Sequence, residues 1–226
     1  MKIIRKILGK PEFELSSNVP LSYIFRKGII YFRGLLKGFF VKLNIKGTKK
    51  KFFVGNRVKL INKKKINIGD NVRIEDGTTI DALSIDGVIL GDRVKIGENS
   101  RILCSGSLKN LGQGLVIGND SSFSENTFFG AAGGIKIGRD VISGQNVRFH
   151  SENHKFSDLD ELIRNQGVTN RGIIVGDNCW IGSGVVFLDG AQVANGCVIG
   201  ANSVVNGIFE ENSIIVGSPA KSIKKR

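Results

Sequence analysis

The sequence is poor in the residues that staple chains, ligate metals or break repeats: its 226 residues include 3 Cys, 3 Pro, 2 His and 1 Trp. An odd and sparse set of cysteines excludes a disulfide scaffold and suits a reducing compartment. So few prolines, with no Gly-X-Y period, exclude collagen and Pro/Gly low-complexity chains. No run approaches ~18 consecutive apolar residues, so no bilayer-spanning helix is expected. The apolar runs of the N-terminal MKIIRKILGKPEFE are too short for the core of a signal peptide. These absences point to the cytoplasm. At 41% hydrophobic and 23% charged, the composition is that of a folded chain.

Acidic residues are scarce in one stretch only. Residues 1–65 carry 18 Lys/Arg against 2 Asp/Glu, whereas residues 66–226 carry 15 against 18. A basic N-terminal segment, 1–53, is therefore set apart from a mildly acidic body, 54–220, and a short basic tail, 221–226. Within the first segment, LSYIFRKGIIYFRGLLKGFFVKL (21–43) reads as an amphipathic helix after Pro20. At 100° per residue Arg26, Arg33 and Lys37 form a narrow basic stripe, with Tyr23, Phe25, Ile29, Phe32, Leu36, Phe39 and Phe40 around the rest. Such a helix suits the headgroup boundary of an anionic membrane, through residues 1–45. The competing arrangement packs the apolar side on the body. The stripe has no accompanying nucleic-acid motif and the body is acidic, so no nucleic-acid partner is expected.

Glycine is what the chain has in excess, at 30 residues, and its placement reveals a six-residue repeat. Hexads led, except at Ser143, by an aliphatic or aromatic residue begin at Val54, Leu60, Ile68, Ile74, Ile80, Leu90, Ile96, Ile102, Ile117, Phe123, Phe129, Ile137, Ser143 and Phe149. They resume at Val175 and continue through Ile181, Phe187, Val193, Ile199 and Val205. Hexads come in threes between insertions, so three short strands make one 18-residue coil. The lead residue and the smaller fifth residue point inward, and glycine or a polar residue turns the corner. Stacked coils bury a core that one coil cannot. Cys179 and Cys197, 18 apart at fifth positions, are expected to stack as core filler, and Cys104 is expected to be filler as well.

The register breaks once at length, over 150–174, and that excursion holds both histidines, His150 and His154. A long non-repeating loop in a uniform solenoid marks function. Imidazole is the side chain suited to moving a proton near neutral pH.

The repeats over 54 to about 220 resemble those of the hexapeptide-repeat acyltransferases. The segment NHKFSD, followed by QG and GDNCWIGSGV, resembles the sugar O-acetyltransferase branch, which includes maltose, galactoside and surface-polysaccharide acetyltransferases. The resemblance implies an all-β fold, a left-handed parallel β-helix shaped as a triangular prism, and acetyl transfer from acetyl-CoA to a saccharide hydroxyl without a metal. It implies His154 as general base. Ser124 and Asn126, in FSENTFF, fall where that branch binds acceptor, and Glu152 and Asp158 could orient the imidazole or bind acceptor hydroxyls. For coenzyme A it implies Trp180, Ser183, Gly200 and Ala201, and, through the closing VGSPAK, Pro219 and Lys221. It further implies a homotrimer whose sites are shared between subunits. Three alternatives are weighed beside it, of which two remain. One is N-acetyl transfer to an amino-sugar nucleotide; another is a non-enzymatic solenoid. The third, a zinc carbonic anhydrase of the same architecture, needs three imidazoles where the chain has two.

Overall fold

The computed structural model describes residues 15–16, 18–47 and 50–226. Residues 1–14 of the basic segment lie outside the described residues. After Pro20 the chain forms one α-helix, α1 (Leu21–Val41), and then winds into a parallel β-helix with three faces. The first face stacks eight strands, among them Ile66–Ile68, Ile135–Ile137 and Ile173–Val175. The second runs from Phe53–Val54 through Ser122–Phe123 and Trp180–Ile181 to Ser213–Gly217. The third runs from Lys59–Ile61 through Arg148–His150 to Val204–Val205.

The hexad leads fall on three continuous ladders, one inside each face. On the second face Val54 pairs with Ile74, then Ile96, Phe123, Ser143, Ile181, Ile199 and Ile215. On the third, Leu60, Ile80, Ile102, Phe129, Phe149, Phe187 and Val205 are stacked in register. The fifth-position residues Val72, Val94, Val141, Val147, Val185 and Ala191 are fully buried between them. This is the parallel β-helix that the spacing implied, left-handed as the resemblance implied. Strand pairing begins slightly before the first hexad, where Lys46–Gly47 lies against Asn67–Ile68.

The cysteines behave as filler. All three thiols are buried and free, and burial pushes Cys104 up to about 12 and Cys179 up to about 11. Beside the long excursion after His150 the third face carries an aromatic column. Phe129, Phe149 and Phe187 are stacked with centroids 5.1 and 4.7 Å apart, and the Phe123 ring meets Phe129 edge-on. These rings fill the width that one aliphatic side chain per coil leaves open.

Helix α1 docks on the first coil by its glycines. A Cβ on Gly34 would lie 2.2 Å from Phe53 Cε2, and one on Gly38 would lie 1.8 Å from the Phe52 carbonyl oxygen. Propensity alone marks these glycines as helix-weakening; here they form the flat strip that lets helix and coil touch. The Tyr31 ring stacks on Phe53 at 5.8 Å, with the Arg73 guanidinium over both rings. Lys37 donates to Asn56 Oδ1, so one cation of the basic stripe faces the body. The opposite side, with Phe25, Phe32, Phe39 and Phe40, is exposed. Among the described residues no helix is long and apolar enough to cross a membrane.

Candidate active site

Every large insertion leaves the prism at the corner between the third and first faces. Residues between Asp81 and Val88, between Leu103 and Leu115, and between His150 and Ile173 all lie there. The last is the long excursion; the coil itself runs to His150 and resumes at Ile173, so the excursion proper spans 151–172.

The base of that excursion is ordered by a two-stranded antiparallel ladder, Asn153–His154 against Val168–Thr169, with His154 opposite Val168. Lys155 N donates to the Gly167 carbonyl at 3.0 Å, extending the pairing by one residue. His154 is exposed and lines a hollow of about 280 Å³ together with Lys155, Phe156, Thr169, Arg171 and Asp189. His150 lies four residues earlier on the outer surface of the third face, its ring 5.3 Å from Phe128. Burial, and then the Arg148 charge, hold its imidazole below the ordinary histidine value. It stands outside the hollow.

The other expected residues divide by corner. Ser183, Gly200 and Ala201 lie on one edge, where the second face turns into the third. There a Cβ on Gly182 would lie 2.5 Å from Ala201 N, so the two corners are in direct contact. The hairpin that closes the prism continues this edge, with Val216 opposite Lys221 and Gly217 opposite Ala220. Lys221 is exposed at its end, next to Pro219. Trp180 projects from the second face, 56% exposed, between Ile142 and Val198. Ser124 and Asn126 belong to this same edge, two coils earlier. Ser124 Oγ donates to the Ser143 carbonyl at 3.0 Å. Asn126, at φ +58°, holds a left-handed corner that recurs at Asn99, Asn146 and Asn202, which corner geometry explains without a ligand.

Within the excursion, Glu152 is half-buried beside the histidine strand. Asp158 folds the loop on itself: its carboxylate accepts from Asp160 N at 3.0 Å, and its backbone exchanges bonds with the Gln166 amide. It does not line the His154 hollow. Asp189 does, although nothing in the sequence pattern singles it out. Its Asp-Gly step reads as a tight turn, and residues 188–191 do form one, with Ala191 N donating to the Leu188 carbonyl at 3.0 Å. No local pattern shows that its side chain reaches the excursion.

Similarity to known proteins agrees with this architecture. The description "Bacterial transferase hexapeptide (six repeats)" matches residues 172–207. A protein of Escherichia coli named as a lipopolysaccharide biosynthesis O-acetyl transferase, WbbJ, is 30% identical over 140 residues, 58% of this chain and 71% of that protein. A Mycobacterium tuberculosis protein named as an acetyltransferase is 33% identical over 138 residues, 61% of this chain and 44% of its own length. A Schizosaccharomyces pombe protein named "Putative acetyltransferase" is 42% identical over 92 residues, 40% of this chain and 43% of its own. The chain thus spans less than half of two of these curated relatives. Among solved structures, the N-acyltransferase AntD of Bacillus cereus superposes with a TM-score of 0.56 at 17% identity, covering 84% of this chain and 88% of AntD. The ladders, the corner excursion and the similarity to WbbJ together place this chain in the hexapeptide-repeat acyltransferase family.

Proposed function

We propose that the protein transfers an acetyl group from acetyl-CoA to a hydroxyl of a saccharide, with His154 as the general base. The observation that carries this reading is the histidine strand. It holds an imidazole at the rim of a hollow large enough for part of a sugar, lined by polar groups from three segments. A sugar hydroxyl is too weakly acidic to attack a thioester unaided. The imidazole takes its proton as the hydroxyl oxygen bonds to the acetyl carbon, the carbon–sulfur bond breaks, and the proton leaves with the coenzyme thiolate.

The donor fits the other edge. Ser183, Gly200, Ala201 and Pro219 form a continuous strip that ends in the exposed cation Lys221, suited to an extended thioester with phosphates at its far end. Because that strip and His154 occupy different edges of one prism, a site that uses both joins two copies, and the resemblance to the hexapeptide-repeat acyltransferases supports a trimer in which one copy supplies the histidine and its neighbour the donor strip. Ser124 and Asn126 of the donor edge would then face acceptor, and Trp180 would wall the cleft. Similarity to WbbJ supports a surface-polysaccharide acceptor. The exposed aromatics of α1, beside Arg26, Lys27 and Arg33, support a cytoplasmic enzyme held peripherally on an anionic membrane.

The test is acetyl-CoA consumption with free sugars, nucleotide sugars, amino sugars and lipid-linked glycans. His154→Ala should lower turnover on the active acceptor by ~10²-fold; near-normal turnover sinks the assignment. For the membrane, the full chain should sediment with phosphatidylglycerol vesicles and a Phe25→Ser, Phe32→Ser, Phe40→Ser variant should not. Failure of the native chain to sediment rejects that part alone.

A further inference from the structure

His154 has no side-chain hydrogen bond among the described residues, so the position of its imidazole depends on the strand that carries it. That strand is held by its partner, Val168–Thr169, and the partner is held from the coil beneath. Asp189, 8% exposed, turns its carboxylate up into the excursion. Its Oδ1 accepts from the backbone N–H of both Arg171 and Gly172 at 2.8 Å, and its Oδ2 accepts from the Thr169 hydroxyl at 3.1 Å. The turn is locked in return, since Gly190 N donates to the Gly172 carbonyl at 2.8 Å.

Corner carboxylates and amides are common along this prism, but they act differently. Asp76, Asp92 and Asn119 each accept one backbone N–H from the coil before, at Asn56, Asp70 and Asp92. Those bonds join one regular corner to the next. Asp189 gathers three donors, and all three belong to the returning limb of the excursion that pairs with the histidine strand. A buried carboxylate with three charge-assisted hydrogen bonds is a rigid anchor, and it lines the hollow that His154 lines.

We infer that Asp189 is a positioning residue for His154: it fixes the Val168–Thr169 strand, and through that strand the reach of the imidazole into the hollow. This rests on the reading of His154 as the general base. Loss of the anchor leaves the coils intact while the ladder drifts, and a base displaced by about an ångström loses much of its advantage.

The experiment is a double-mutant cycle in the full chain, reading acetyl transfer at saturating acceptor. Asp189→Ala should lower kcat by ~10- to 100-fold in the native background, with the apparent affinity for acetyl-CoA unchanged. In the His154→Ala background the same substitution should change the residual rate by less than about twofold, because the group it positions is gone. Thr169→Val, isosteric and missing one of the three donors, should give a smaller loss with the same disappearance, and it carries the test if Asp189→Ala does not fold. An equal fold-loss in both backgrounds, or no loss in the native one, overturns the inference. Near-normal turnover of His154→Ala alone would instead overturn the assignment of the base.

Discussion

Mixing two inactive chains gives a sharp test of how the site is assembled. His154 leaves the prism at the corner between the third and first faces; Ser183, Gly200 and Ala201 sit at the corner between the second and third. A hexad at ~3.3 Å per residue makes one side of the triangle about 15–20 Å long, whereas proton transfer needs the base within ~3 Å of the hydroxyl. The excursion does not close that gap, because its histidine strand is tied to its own corner through Thr169 and Asp189. A site that uses both edges therefore joins two copies. Let one chain carry His154→Ala and the other Ala201→Trp, a bulky side chain on an exposed donor-edge position. In randomly assembled rings, about one interface in four combines an intact histidine with an intact donor edge. Separately tagged chains, unfolded and refolded together without selecting for mixed composition, should recover about a quarter of native turnover per site. Each variant alone should remain ~10²-fold low. A mixture that stays at the mean of the two variants would refute the shared site.

Two further predictions concern the scaffold. Gly28 and Gly38 lie on the same helix, yet a Cβ on Gly28 meets nothing within 4 Å while one on Gly38 meets the Phe52 carbonyl oxygen. Gly28→Ala should therefore strengthen α1 by about 0.5–1 kcal/mol, and Gly38→Ala should weaken its docking by about 1–3 kcal/mol. Proteolysis within residues 21–41 reads both, and equal cleavage of the two variants would contradict the docking geometry. The raised thiols of Cys104 and Cys179, at about 12 and about 11, should make both inert to iodoacetamide at pH 8 in the native protein and reactive in guanidinium. Stoichiometric labelling without denaturant would contradict their burial.

Much of this molecule can be read from its spacing, because a solenoid repeats one local rule. The hexad leads from Val54 to Val205 are the residues that line the three ladders, and the fifth positions fill the space between them. What escapes the sequence is contact between segments whose separation is not a multiple of the repeat. Gly34 and Gly38 look like faults in a helix until Phe52 and Phe53 are placed beneath them. Asp189 looks like half of an Asp-Gly turn until residues 169–172 return above it. The phase of the repeat, however, carries more than fold. Counting hexads in threes, Phe123, Ile181 and Ile199 each lead the second of a triplet, and Ser124, Ser183 and Ala201 lie at the corner that follows. Phe149 leads a third, and His154 comes after it. Residues that follow different members of the triplet stand on different edges of a triangular prism, whatever their distance along the chain. A reaction requiring both can be assembled only where the edge of one copy meets another edge of the next. The phase of the repeat thus sets the geometric condition that the proposed site must meet: its histidine and its donor strip stand on different edges of one chain.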